Sequence, residues 1–273
     1  MMNIPMNYDN TYEGKDGLLY CTKCHTLRVT EKIIPVFNAH MPVPCKCMQE
    51  AEQKAKADEE YKRKMQLLDK LRSASLLGER YKDTTFENTD LSVGGDFEKA
   101  IFRCHKYCDM ADNVLSKGYG IYLYGNSGTG KTHLTACICN ELINKYHQVL
   151  FTNFTEIYKL IKETYKNNGD MDKAVIKRIC DIDFLIIDDV GTEILKKNGE
   201  DARIQEHVYD IINKRYNEKK PTIFSSNFTL NQLIEERGMW EKTVDRIMEM
   251  STAIIRVNGE SYRAKNRRKE NLF

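Results

Sequence analysis

The sequence predicts a parallel α/β sheet flanked by helices, preceded by a small module organised on a metal. Three observations carry that reading. From about Ser75 onward, apolar strand-like runs alternate with amphipathic helical patterns, as crossover units require. A complete phosphate-loop pattern, Gly125-Asn-Ser-Gly-Thr-Gly-Lys131-Thr132, lies at one strand-to-helix junction. Two close cysteine pairs, Cys21/Cys24 and Cys45/Cys47, lie in a polar, Pro-containing stretch near the start.

Composition bounds the rest. The chain has 273 residues, 41% hydrophobic and 30% charged, which suits a globular protein with one large domain and a small one attached. Its formal net charge is only +2, so any surface for nucleic acid must be local. No apolar run is long enough to cross a bilayer, and the start lacks the basic-then-apolar order of a secretory signal. The expected setting is the cytoplasm, with no membrane partner. There, nine cysteines read as thiols or metal ligands and not as disulfides.

Residues 1–48 form the first zone, the zinc-binding module. Cys21 and Cys24 make a C-x₂-C pair and Cys45 and Cys47 a C-x-C pair, together a full tetrahedral ligand set for Zn²⁺. His25 and His40 are substitutes for a thiol that fails to reach. Little apolar sequence lies here, so a structural metal has a clear purpose. A full set of four ligands leaves no open position for catalysis.

Residues 49–74 form a helical arm or linker. Neither Gly nor Pro interrupts 49–72, and Ala57, Tyr61, Met65, Leu68 and Leu71 recur at spacings of three and four. That apolar stripe needs a cover, whether a partner or the zinc module.

Residues 75–273 make the α/β domain with a basic C-terminal tail. Its predicted strands are Gly120–Tyr124, Val149–Asn153, Asp183–Asp188, Thr222–Ser226 and Ala253–Val257. The predicted helices between them include Thr132–Lys145, Thr155–Lys166 and Ala202–Asn217. Cys104, Cys108, Cys137, Cys139 and Cys180 fall in or beside these elements and are expected to be buried as small apolar residues.

The chemistry gathers at the strand ends. Gly125, Asn126, Ser127, Gly128, Thr129, Gly130, Lys131 and Thr132 match G-x-x-x-x-G-K-[ST] in full, between an apolar strand and a helix. The glycines let the backbone bend so that amides and the helix N-terminus face phosphates. Lys131 would reach the β- and γ-phosphates of ATP, and the Thr132 hydroxyl would ligate Mg²⁺. Phe184-Leu-Ile-Ile-Asp188-Asp189 reads as a buried strand ending in two acids, at the end where such sheets bind ligands. Asp188 would hold Mg²⁺, directly or through water. Asp189 would orient or deprotonate the attacking water, with Glu193 a rival for that role. The strand Thr222–Ser226 runs into Asn227, a polar side chain able to contact the γ-phosphate or its attacking water.

Taken together, these pieces resemble the AAA+ helicase-loader family of bacteria and phages, which includes the related transposition-helper ATPases. The resemblance starts at Gly78-Glu-Arg-Tyr-Lys-Asp-Thr-Thr-Phe86-Glu-Asn88 and continues through the phosphate loop, Asp188-Asp189-Val-Gly-Thr-Glu193 and Ser226-Asn227. It closes with Val244-Asp-Arg246-Ile-Met and Gly259-Glu-Ser-Tyr-Arg263.

The resemblance implies a P-loop AAA+ ATPase that self-associates through this domain. It implies that Arg246 is an arginine finger projected into a neighbouring subunit's ATP site. Arg263 would be the sensor that contacts phosphate from within its own subunit; a fixed guanidinium suits either role. Many AAA+ proteins carry Asp-Glu where this chain has Asp188-Asp189, and the shorter second carboxylate implies slow hydrolysis. The implied function is ATP-dependent loading of a hexameric replicative DNA helicase onto single-stranded DNA. The alternative is a transposition helper that binds target duplex DNA and recruits a transposase.

Two stretches could meet single-stranded DNA. The tail Arg263–Lys269 is densely basic, and Thr155–Arg178 interleaves Lys159, Lys162, Lys166, Lys173, Lys177 and Arg178 with Tyr158 and Tyr165. A solvated surface explains these charges equally well. The zinc-bearing N-terminal module resembles that of some loaders from Gram-positive bacteria and their phages, which grip the helicase with that end.

Overall fold

The computed structural model describes residues 10–91, 94, 96–157, 159, 170–192 and 200–262, with backbone alone for 170–175 and 200–204. Two compact units divide the chain, Met1–Gln66 and Leu67–Phe273.

In the first unit, β1 (Thr11–Glu13) pairs antiparallel with β2 (Leu19–Cys21). Single bridges Tyr20–Leu27, Val29–Pro42 and Ile34–Ala39 continue the fold toward Cys45. Among the described residues, the buried apolar side chains of this unit are Cys21, Val29 and Cys45. Such a core is too thin to hold a module by burial alone.

Helix α1 (Lys46–Ala74) is longer at both ends than its sequence pattern suggests. Pairs such as Glu52–Lys56 and Glu60–Lys64 are in the orientation that supports an exposed helix. The apolar stripe divides. Leu68 and Leu71 pack against the core of the second unit, whereas Tyr61 is 65% exposed. The last turns of α1 therefore belong with the second unit.

That unit contains α2 (Phe97–Asp109), α3 (Ala111–Lys117), β3 (Gly120–Tyr124), α4 (Lys131–Asn144), β4 (Val149–Thr152), α5 (Asp170–Asp181) and β5 (Phe184–Val190). It continues through α6 (Glu200–Asn217), β6 (Thr222–Ser226), α7 (Leu230–Glu235), α8 (Glu241–Met250) and β7 (Ser251–Arg256). The five strands are parallel in the order β4-β5-β6-β3-β7.

Period-two alternation sorts their side chains to two faces. Ile121, Leu123, Ile186 and Ile223 face a core shared with Phe97 of α2 and Leu134, Ile138 and Leu142 of α4. Tyr122, Leu185, Ile187 and Phe224 face a second core, with Ile211 and Ile212 of α6 and Val244 and Ile247 of α8. Burial on both faces explains the near-continuous apolar runs.

The five predicted strands all form; Gly120–Tyr124 and Thr222–Ser226 match end to end, and β4, β5 and β7 have shifted ends. β7 starts two residues before the apolar run because polar residues complete it. Gly120 pairs with Ser251, and Thr252 Oγ1 donates to the Gly120 carbonyl. The five cysteines expected to be buried are buried. The predicted helix Thr155–Lys166 lies largely outside the described residues.

One buried cation went unmarked in the sequence. Arg215 of α6 is fully buried, and its guanidinium donates to the carbonyls of Ile179, Cys180, Ile182, Asp183 and Pro221 and to Thr222 Oγ1. It satisfies the last carbonyls of α5 and the Asp183 carbonyl just before β5, the strand whose far end carries the acids, and ties them to the start of β6.

Candidate nucleotide site and metal centre

The site is built where β3 runs into α4. Gly128 and Gly130 take φ of +84° and +94°, a region open to glycine at low cost. A Cβ at Gly128 would come within 2.3 Å of Ser261 Oγ, and one at Gly130 within 2.8 Å of the Phe97 ring. Both glycines therefore admit neighbours as well as bending the loop. Tyr262 N–H donates to the Gly128 carbonyl at 3.0 Å, so the chain beyond β7 seats on the loop.

Lys131 is 6% exposed, and its ammonium donates to the carbonyls of Gly125 and Asn126 at 2.8 Å each. The Thr132 hydroxyl donates to Asp188 Oδ2 at 2.9 Å. An octahedral Mg²⁺ with ligands at about 2.1 Å places neighbouring oxygens about 3 Å apart, so these two oxygens fit one ion.

Asp188 is buried and accepts the Ser225 hydroxyl at Oδ1, with Thr135 Oγ1 3.2 Å away sharing its one proton between this oxygen and the Thr132 carbonyl at 3.0 Å. Asp189 leaves the strand path with φ +58°, where the pairing of β5 with β6 shifts register between Ile187 and Val190. Its carboxylate accepts from Asn227 Nδ2 at 3.0 Å. Arg237 holds the following turn by donating to the carbonyls of Gly191 and Thr192.

A cavity of about 280 Å³ opens beside the loop. Ser127, Gly128, Gly130, Lys131, Thr132, Asp189 and Asn227 form its phosphate end. The rest of the lining includes residues that sequence reasoning did not assign, among them Tyr81, Asn88, Thr89 and His133. Tyr81 and Asn88 fall in the Gly78–Asn88 segment, read only as a lead-in to the domain, and Thr89 and His133 carried no signal in the sequence.

His133 has a defined tautomer. The single Thr89 hydroxyl proton goes to the Thr85 carbonyl at 2.8 Å, so the 2.8 Å contact to Thr89 Oγ1 is a donation from His133 Nε2. Burial holds the His133 imidazole below the usual histidine range.

Arg246 lies on α8, outside the cavity lining. Its guanidinium meets Asn213 Oδ1 at 3.2 Å and Glu249, and packs 4.7 Å from the Tyr216 ring centre. Glu193 and Arg263 lie outside the described residues.

In the N-terminal module, Cys21, Cys24, Cys45 and Cys47 bring their sulfurs within 4.8 Å of one another. The Cys21–Cys47 and Cys45–Cys47 sulfurs are 3.7 and 3.3 Å apart. A tetrahedral zinc with Zn–S of about 2.3 Å has edges of about 3.8 Å, so the four thiols could hold Zn²⁺. The candidate substitutes are engaged elsewhere: His25 Nδ1 with the Tyr12 hydroxyl, and His40 Nδ1 with the Thr30 carbonyl.

Comparison with known proteins agrees with this geometry. The chain is 26% identical over 190 residues to the replicative helicase loader DnaC of Escherichia coli strain K12, covering 70% of this chain and 73% of that protein. It is 28% identical over 220 residues to the replicative helicase loader DnaI of Bacillus subtilis strain 168, covering 77% and 66% respectively. The crystal structure of the DnaC helicase loader superposes with a TM-score of 0.54 at 22% identity, over 66% of this chain and all of that one. The parallel sheet flanked by helices is thus the AAA+ P-loop fold. Residues 49–270 match the family described as IstB-like ATP binding protein, and the chain belongs to that family.

Proposed function

We propose that this protein is an ATP-dependent loader of a hexameric replicative DNA helicase onto single-stranded DNA, acting in the cytoplasm. The observation that carries the reading is the Thr132–Asp188 pair beside the phosphate loop, in a chain similar over most of its length to proteins named as replicative helicase loaders.

Bound MgATP supplies the γ-phosphoryl group whose transfer to water does the work. Gly125, Asn126, Ser127, Gly128, Thr129 and Gly130 cradle the phosphates. Lys131 exchanges the carbonyls of Gly125 and Asn126 for phosphate oxygens. Thr132 and Asp188 hold Mg²⁺. Asp189, its carboxylate steadied by Asn227, orients the attacking water, and Glu193 is the other carrier of that role. Arg263 senses phosphate within its own subunit. Arg246, held away from its own cavity, serves the neighbouring chain, so self-association completes the site. The short Asp189 side chain makes turnover slow, which suits a timer.

Residues 1–48, closed by zinc on Cys21, Cys24, Cys45 and Cys47, and the arm 49–74 form the helicase-gripping end. Residues 75–273 form the ATPase, with Lys159, Lys177 and Arg178 among its candidate single-strand contacts.

The test is ATP turnover alone, with single-stranded DNA and with duplex DNA, alongside gel filtration with a hexameric replicative helicase. Stimulation by single strands and a stable large complex are expected. The family's IstB-like description favours the transposition helper as the second reading. Stimulation by duplex and no complex with any helicase would select it and overturn the first.

A further inference from the structure

We propose that Ser225 is a positioning residue for both acids at the end of β5, aiming the Asp188 carboxylate at a divalent cation and fixing the turn that carries Asp189. The proposal rests on the nucleotide-site reading above.

Ser225 is 1% exposed. Its Oγ donates to Asp188 Oδ1 and accepts the backbone N–H of Asp189 at 3.0 Å. A hydroxyl has one proton and two lone pairs, so these bonds fix its rotor and leave no competing orientation. The consequence for Asp188 is specific. With Oδ1 anchored by Ser225, Oδ2 is left facing Thr132 at 2.9 Å. The metal-facing oxygen is thus selected by what holds the other one. Donors behind a ligating carboxylate orient it and set its affinity.

The consequence for Asp189 is conformational. Neighbouring residues of a regular strand point to opposite faces, yet both acids serve one site. The left-handed turn at Asp189, φ +58°, resolves that conflict. Such a conformation persists at a non-glycine residue when its surroundings over-determine it. Here β6 and the residue that follows it supply three bonds in sequence. Ser225 takes the Asp189 N–H, Ser226 Oγ donates to the Val190 carbonyl at 2.7 Å, and Asn227 holds the Asp189 carboxylate at 3.0 Å. Of the three, Ser225 is the one bonded to both acids.

Ser226 provides the control, since it is equally buried and loses the same group on truncation. The experiment measures Mn²⁺ binding, by electron paramagnetic resonance of the free ion, to the full-length protein saturated with a non-hydrolysable ATP analogue. Ser225→Ala is expected to weaken Mn²⁺ about tenfold, with analogue affinity in EDTA unchanged and single-turnover hydrolysis slowed. Ser226→Ala is expected to keep the wild-type Mn²⁺ affinity even where its melting temperature falls. Wild-type Mn²⁺ affinity in Ser225→Ala overturns the proposal. Equal losses in the two variants also overturn it, because both hydroxyls would then act only through the strand's stability. Failure of the wild-type protein to bind the analogue would instead remove the underlying nucleotide-site reading.

Discussion

Asn227 donates its side-chain amide to Asp189, Nδ2 to Oδ1 at 3.0 Å, joining the tips of β6 and β5 at the phosphate end of the cavity. The bond orients the Asp189 carboxylate where both residues line the cavity. Asp189→Asn keeps the size and removes the charge, so it should lower ATP turnover by about 100-fold. Asn227→Ala should lower it in the same direction. Nucleotide titration should show near wild-type binding in both, because neither residue belongs to the phosphate loop. A loss confined to binding would exclude a role for this pair in hydrolysis.

Arg246 faces Asn213, Glu249 and Tyr216, outside the cavity of its own chain. Lys131→Ala and Arg246→Ala proteins should each be nearly inactive in turnover, by about 10³-fold for the finger. Mixing them should restore a fraction of the rate, since a Lys131→Ala subunit can lend its Arg246 to an intact phosphate loop. A mixture as inactive as its components would place the action of Arg246 within one chain.

The four sulfurs of the N-terminal module lie within 4.8 Å of one another, in a unit whose buried apolar side chains, among the described residues, are Cys21, Val29 and Cys45. Metal analysis should give about one zinc per chain. The double variant Cys21→Ser, Cys45→Ser should lose it, and residues 10–45 should then become sensitive to limited proteolysis. Protection that survives complete metal removal would show that burial suffices.

His133 carries a testable pH dependence. Burial lowers its folded-state value below the ordinary histidine value of about 6.5. On acidification through 6.5 the unfolded chain therefore binds a proton that the folded chain still refuses. Native stability must fall over that window as pH decreases, down to the lower folded value. His133→Gln keeps a donor toward Thr89 and removes the titration. Its melting temperature should vary less between pH 7 and pH 5 than that of the wild-type protein. Parallel curves would dismiss the effect.

Arg215 gives the sharpest stability test. Burial pushes its guanidinium down to about 10, so it stays charged at neutral pH, satisfied by five carbonyls and a hydroxyl. Arg215→Met would fill much of the space but leave those carbonyls without their donor. A loss of about 3 kcal/mol is expected in urea unfolding, with nucleotide affinity retained in the folded fraction.

By itself, the sequence determined the parts whose chemistry demands certain residue types at short, fixed spacing. The phosphate loop from Gly125 to Thr132, the apolar run ending in Asp188 and Asp189, the Asn227 tip and the two cysteine pairs are of that kind. Each is set by the geometry of one strand end, one helix start or one metal. The apolar runs were legible too, because a strand buried on both faces is apolar except where a polar side chain has a partner, as Ser225 and Ser226 do. Strand ends were less so, since Ser251 and Thr252 join β7 through bonds to other elements.

Only the tertiary structure decided which distant groups meet. Ser225 reaches both acids because β6 lies beside β5 with a register shift at Ile187–Val190. Tyr81 and Thr89 face the cavity because their segment passes over α4, where Asn140 bonds the carbonyls of Tyr81 and Thr84. Arg215 is indistinguishable in the sequence from an exposed helix cation until the end of α5 comes to it. These contacts depend on sheet order and register, which sum the packing of the whole domain and leave no local pattern to read.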